Sequence, residues 1–201
     1  MKKYSDRFIF ENLFVLELAN NHWGNRKRGL KIIRDFAFIS RVNSVKTAIK
    51  LQFRDLDSFI HPSFKGFTDS RYIKKTEETK LSIQDFKLLI EEIKQCSCIP
   101  MATPFDEASV ELCEKFDLPI IKVASSDIAT WPLLEKISLL QRPVIISTGG
   151  ANEKRIDDCV MFFEHRKIPL AINHCVSLYP SEDYELELNQ IDYLKARYPN
   201  H

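Results

Sequence analysis

Six short apolar runs, 13–18, 45–51, 98–102, 118–123, 143–147 and 168–174, carry polar residues suited to chemistry at their ends or interiors. These are Glu17, Lys50 with Gln52, Thr103, Lys122 with Ser125, Ser147 with Thr148, and His174. Lysines and hydroxyls in such positions suit the binding of phosphate and carboxylate groups. Lys50 lies in Ala48-Ile49-Lys50-Leu51-Gln52-Phe53, where a period of two puts Lys50 and Gln52 on one face. Lys122 has a similar setting in Ile120-Ile121-Lys122-Val123-Ala124-Ser125. A single strand lysine ordinarily snorkels or pairs with an acid. Two of them at one barrel mouth would instead create a positive pocket. Glu17, after Leu13 to Leu16, is costly to bury alone and reads equally as the partner of a basic neighbour. Ser147-Thr148-Gly149-Gly150 offers hydroxyl and backbone N–H groups for phosphate oxygens, although paired glycines also mark ordinary turns. His174-Cys175 is a poor nucleophilic dyad, because neighbours on a strand point to opposite faces.

The intervening segments have helical periodicity. Ile32, Ile33, Phe36 and Ala37 form one stripe. Ser82 with Asp85 resembles a capping box before Phe86, Leu89, Ile90 and Ile93. Asp106 caps a helix bearing Val110, Cys113 and Phe116. Thr130 is expected to cap the next, with Pro132 in its first turn, and Asn152 starts one with Ile156, Cys159, Val160 and Phe163 inward. Leu188, Ile191 and Leu194 mark a last helix. Alternating strand and helix predict a parallel α/β sheet with right-handed crossovers, and all strand C-termini would then share one face. The expected fold is a TIM (β/α)8-type barrel of which about six βα units are present and the last strands missing, the whole of 1–201 forming one incomplete domain. The stretch from Phe53 to Lys80, with His61-Pro62, Gly66 and Arg71, is long and polar. It reads as a lid or as a passive surface excursion.

Composition bounds the function. The 201 residues are 44% apolar and 28% charged with a formal net charge of +1, so no global basic field favours nucleic acid. The short clusters Arg26-Lys27-Arg28 and Lys74-Lys75 read as solvated faces. No run approaches the ~18 apolar residues of a membrane helix, and the start Met1-Lys2-Lys3-Tyr4 lacks the apolar core of a signal peptide. Five irregularly spaced cysteines suit a reducing cytoplasm, mostly as buried thiols, and Cys96-Ser97-Cys98 is too tight for a zinc knuckle.

Taken together and in order, Glu17-Leu-Ala-Asn-Asn-His-Trp-Gly24, Lys50-Leu-Gln52, Thr103-Pro-Phe-Asp106, Lys122-Val-Ala-Ser125, Ser147-Thr-Gly149 and His174-Cys-Val-Ser-Leu-Tyr-Pro180 resemble the sialic acid synthase family, the N-acetylneuraminate synthase-like enzymes. The resemblance spans roughly 13–199. It implies condensation of phosphoenolpyruvate with an N-acetylated amino-sugar aldehyde of the N-acetylmannosamine type. Glu17 would lie near the sugar, and Lys50 and Lys122 would hold the phosphoenolpyruvate carboxylate and phosphate. Gln52, Thr103, Ser125 and Ser147 would line that substrate. Tyr179 would face the sugar, and Ser177 stands where some members carry asparagine. Asn21 and His22 match the family's Asn-His pair, to which no chemical role is assigned. A divalent metal, manganese or magnesium, would polarise the aldehyde. The C3 carbon of phosphoenolpyruvate would attack the aldehyde carbon, water would add at C2, and phosphate would leave by C–O cleavage. A homodimer is implied for full-length members.

The family's Ser-Asp-His and Glu-x-His motifs, which supply its metal-binding histidines and a further catalytic glutamate, have no counterpart in these residues, nor has its C-terminal antifreeze-like domain. The expectation is therefore weak phosphoenolpyruvate binding, poor turnover and no metal ligands in this chain. His174 reads as a hydrogen-bonded structural residue. Three other readings stay open. One is a noncatalytic truncated barrel that acts by association with a partner. The others are a related phosphoenolpyruvate aldol-type 3-deoxy sugar acid synthase and a Schiff-base aldolase. The sugar itself, whether N-acetylmannosamine or a precursor of legionaminic or pseudaminic acid, is left undetermined.

Overall fold

The computed structural model describes residues 7–66 and 69–201. The N-terminal stretch considered for a leader, 1–6, and positions 67 and 68 of the long polar segment lie outside the described residues. The chain divides into two compact units, Glu11–Pro119 and Ile120–His201 with the described residues 7–10.

The first unit runs β1 (Leu13–Glu17), α1 (Arg26–Val42), β2 (Lys46–Phe53), α2 (Leu56–Phe59), α3 (Arg71–Glu78), α4 (Ile83–Gln95), β3 (Ile99–Pro104) and α5 (Glu107–Lys115). β1, β2 and β3 pair in parallel, with Glu17 opposite Lys50 and Gln52 opposite Thr103. β2 is buried along both faces, as a central parallel strand must be. Ile49, Leu51 and Phe53 fill one side, and Ala48 and Lys50 the other. α1 packs on α4 through fully buried Ile33, Ala37, Leu89 and Ile93, and Arg34 grips Glu92 with two bonds of 2.7 and 3.2 Å. Gly29 permits this approach, because a Cβ there would lie 2.9 Å from Leu89 Cδ2. Ser82 and Asp85 cap α4 reciprocally. Asp106 caps α5 by accepting from the Ser109 N–H at 2.7 Å, and its second oxygen accepts from the Asp55 N–H at 2.8 Å. One carboxylate thus ties the end of β2 to the end of β3.

The second unit runs β4 (Ile120–Val123), α6 (Trp131–Leu139), β5 (Val144–Ser147), α7 (Glu153–His165), β6 (Leu170–Asn173) and α8 (Gln190–Arg197). β4, β5 and β6 are parallel, Lys122 facing Ile145 in register and Ser147 facing Asn173. Leu134, Val144, Ile146, Cys159 and Phe163 form its fully buried core. α8 is bound to α7 by polar contacts: Arg197 pairs with Asp157 at 2.6 Å, Tyr193 donates to Glu153 at 2.5 Å and Tyr198 donates to Asp157 at 2.6 Å. Hydrogen bonds from Arg197 and Tyr198 hold the Asp157 carboxyl below the usual range.

Three details depart from the sequence reading. The Thr130 side chain does not cap α6; its hydroxyl donates to Asp127 Oδ1 at 3.3 Å, and the helix starts on Trp131-Pro132. Leu188 lies outside α8 and is 62% exposed, because that helix is short and held by charged contacts. The segment after Phe53, read as a lid or a passive surface excursion, carries helices that the pattern did not place: α2, a 3-10 turn at Pro62–Phe64, and α3.

Candidate active site

In the first unit the parallel register decides the central contact. With Glu17 beside Lys50, the Lys50 ammonium meets Glu17 Oε2 at 2.5 Å and donates to Thr103 Oγ1 at 3.0 Å. Lys50 is 8% and Thr103 1% exposed, whereas the Glu17 side chain is 47% exposed. The ammonium is therefore desolvated and needs its oxygens, and the carboxylate stands where solvent or a ligand reaches it. Gln52, one pleat further on, accepts from Arg54 at 2.9 Å. The loop after β1 folds back, with the Leu18 and Ala19 N–H groups both donating to the Lys50 carbonyl at 3.2 Å. Within it, His22 is 1% exposed, and its Nδ1 accepts from the Gly24 N–H at 3.1 Å. Burial lowers its pKa to about 4, so the ring is neutral. Gly24, at φ +68°, sits beneath the end of α3, where a Cβ would come within 2.7 Å of the Glu78 carbonyl.

In the second unit Lys122, 6% exposed, donates to Ser147 Oγ at 2.6 Å and to the Val123 carbonyl at 2.7 Å. Ser125 is half-buried at the start of a 3-10 turn, Ser125–Asp127. Thr148 is held by the Asn173 carbonyl, which accepts from its N–H at 3.1 Å. Gly149 leaves room for Ser177, since a Cβ there would lie 2.5 Å from Ser177 Oγ and 3.1 Å from Cys175 Sγ. Ser177 is exposed, and Tyr179 is 88% exposed. His174 donates through Nε2 to the Leu186 carbonyl at 2.8 Å, a structural bond that fixes its tautomer. A cleft of about 350 Å³ opens beside Thr148, His174, Ser177 and Tyr193.

Glu17, Lys50 and Thr103 thus come together, as do Lys122 with Ser147 and Gly149 with Ser177. Arg54 is an addition that sequence reading passed over. Its signal was the continued alternation Lys50, Gln52, Arg54 beyond the apolar run. Among the described residues no group of three His, Cys, Asp or Glu side chains is placed to hold a metal ion. These residues do not fit the divalent metal implied by resemblance, and no step is assigned to one. Cys98, Cys113 and Cys159 are buried, Cys96 and Cys175 half-buried, and none is in a disulfide. Among the described residues no helix is long and apolar enough to cross a membrane.

Parallel strands in chain order, each joined to the next through helical segments, define the class: an α/β fold of the TIM-barrel type, represented by six βα units. The profile of the NeuB family matches residues 41–201, and the chain belongs to that family. It is similar to the crystal structure of a spore coat polysaccharide biosynthesis protein E from Chromobacterium violaceum, at 42% identity and a TM-score of 0.91, over 94% of this chain and 56% of that one. An N-acetylneuraminic acid (sialic acid) synthetase from Leptospira borgpetersenii is 28% identical with a TM-score of 0.78, over 93% of this chain and 61% of that one. The N,N'-diacetyllegionaminic acid synthase of Campylobacter jejuni is 30% identical over 130 residues, 63% of this chain and 39% of that protein. The chain therefore spans less than two thirds of each of these relatives.

Proposed function

We propose that this chain carries the phosphoenolpyruvate-binding residues of a nonulosonic acid synthase, which joins phosphoenolpyruvate to an N-acetylated amino-sugar aldehyde and releases phosphate. The observation that carries the reading is the pair of buried strand lysines, each bonded to a hydroxyl: Lys50 to Thr103 and Lys122 to Ser147. A buried ammonium beside a hydroxyl is suited to a carboxylate or phosphate oxygen, and fixed donors in a desolvated site stabilise developing anionic charge. Glu17 both neutralises Lys50 and offers a half-exposed carboxylate toward an incoming sugar. Gln52, Ser125, Ser177 and Tyr179 are assigned to substrate contact. In the reaction, C3 of phosphoenolpyruvate forms the new bond to the aldehyde carbon, water adds at C2, and the C2–O bond to phosphate breaks. A cytoplasmic location and a homodimer belong to the same proposal.

The test is calorimetric titration of phosphoenolpyruvate into the chain and into Lys50→Ala and Lys122→Ala. Each charge-assisted contact is worth about 1.5–3 kcal/mol, so affinity falls by about tenfold to a hundredfold in either variant. A folded wild-type chain that binds no phosphoenolpyruvate, or variants that bind it unchanged, would overturn the assignment. A second reading, a noncatalytic chain that acts by association, is favoured by the apolar flank of β1 and α1. There Phe14 is 56%, Phe38 62% and Val42 67% exposed. A monomer in sedimentation at every concentration would count against it.

A further inference from the structure

The helix α8 follows the loop that carries Ser177 and Tyr179, and none of its residues is buried. Apolar burial, which ordinarily ties a helix to its neighbour, is therefore small here. Polar bonds to α7 take its place, and Asp157 is their centre. Arg197 reaches its two oxygens at 2.6 and 3.1 Å, and the buried Tyr198 hydroxyl donates to it at 2.6 Å. One turn earlier on each helix, Tyr193 donates to Glu153 at 2.5 Å. The loop between β6 and α8 bonds largely to itself. Ser181 Oγ donates to the Leu178 carbonyl at 2.6 Å, and the Glu182 N–H to the Glu185 carboxylate at 2.8 Å. Tyr179 is 88%, Tyr184 81% and Leu188 62% exposed, so this loop buries little apolar surface of its own. Ser177 nevertheless sits tightly against Gly149. A loop so lightly packed is held by its ends: His174 bonded to the Leu186 carbonyl at one, and α8 at the other. Beneath it lies the cleft of about 350 Å³, with Cys175 and Ser177 on the strand side and Glu153, Tyr193 and Leu194 on the helix side.

We propose that Asp157 is a positioning residue for substrate binding: it latches α8 to α7, and α8 in turn holds the loop that presents Ser177 to its ligand. Asp157 does not line the cleft and acts only through the helix. When the latch opens, α8 and the loop move off together and Ser177 leaves Gly149. The identity of the ligand, phosphoenolpyruvate, rests on the synthase reading; the latch rests on these contacts alone.

The test uses Asp157→Ala and Arg197→Ala, which break the pair from either side. Their side chains are 32% and 38% exposed, so neither variant opens a core. Cys175, half-buried on the cleft wall, reports the latch without any ligand. Its alkylation in the native chain, followed by mass spectrometry, should run about fivefold faster in each variant, since labelling tracks the open population and an exposed pair is worth about 1 kcal/mol. The buried Cys113 and Cys159 should stay unmodified. By calorimetry, phosphoenolpyruvate affinity should fall about threefold to fivefold in both variants. Ser177→Ala should then cost less affinity in the Asp157→Ala background than in wild type, because the loop is already displaced. An unchanged Cys175 rate would overturn the latch. So would labelling of Cys113 and Cys159 at the same raised rate, which would make Asp157 a support of the whole unit. Unaltered affinity, or additive losses from Asp157→Ala and Ser177→Ala, would overturn the positioning role. A wild-type chain that binds no phosphoenolpyruvate, with Cys175 released in the variants, would sink the synthase reading and leave the latch standing.

Discussion

Acidification should weaken this fold through His22 before it reaches the carboxylates. His22 is 1% exposed and uses Nδ1 to accept from the Gly24 N–H. Its Nε2 is buried with no hydrogen-bond partner among the described residues. Burial lowers its pKa from 6.5 to about 4. The unfolded chain therefore takes up a proton near pH 6.5 that the folded chain refuses until about pH 4. The stability His22 contributes is complete above pH 6.5 and is lost as pH falls between those values. At about 1.4 kcal/mol per pH unit, the loss is about 2 kcal/mol by pH 5 and about 3 kcal/mol by pH 4. Asp85, Glu92 and Asp157 all have lowered pKa values, held down chiefly by hydrogen bonds from Ser82, Arg34 and Arg197 respectively. They stay charged across most of this window. The assay is urea unfolding at pH 7.5, 6, 5 and 4.5 for wild type and for His22→Asn, a side chain that cannot titrate. The variant should start less stable and lose less on acidification, with the two curves converging by about 2 kcal/mol at pH 5. Parallel curves would refute the reasoning, because they would show that the ring binds its proton equally well in both states.

Other perturbations read single contacts. Gly149→Ala places a methyl group on Ser177 Oγ and the Cys175 backbone, and should destabilise the chain by about 1–3 kcal/mol in the same urea assay. Ser82→Ala removes the reciprocal cap of α4 and should lose about 1 kcal/mol, while Ser82→Thr, which keeps the hydroxyl that donates to Asp85, should retain most of it. Burial pushes the Cys159 thiol up to about 12 and the Cys113 thiol higher still. Mass spectrometry after alkylation at pH 8 should find both unmodified in the native chain and modified in urea.

Much of the fold was legible because period and capping are local. All six strands fall within two or three residues of the expected runs, and Ser82, Asp106 and Asn152 cap the helices they precede. Thr130 was misread because its hydroxyl finds the Asp127 carboxylate, a competing partner that spacing does not rank against the helix N–H groups. The helices inside the segment after Phe53 were missed because they are short and rest on packing, as where α3 ends over Gly24.

For the site, the sequence by itself determined which residue types end the strands, and, through the two-residue pleat, that Lys50 and Gln52 share one side of β2. It did not determine what each would touch. That Lys50 meets Glu17 and Thr103, 33 and 53 residues away, follows from the parallel register of β1, β2 and β3. That Lys122 meets Ser147 follows from the pairing of β4 with β5. The burial of His22, the stacking of Arg54 on Phe105 and the fit of Ser177 against Gly149 are likewise tertiary. A strand's pleat is set by the covalent geometry of its own backbone. Register and burial are set by which alignment of whole strands and helices removes the most apolar surface from water, a sum over distant residues that no local window contains.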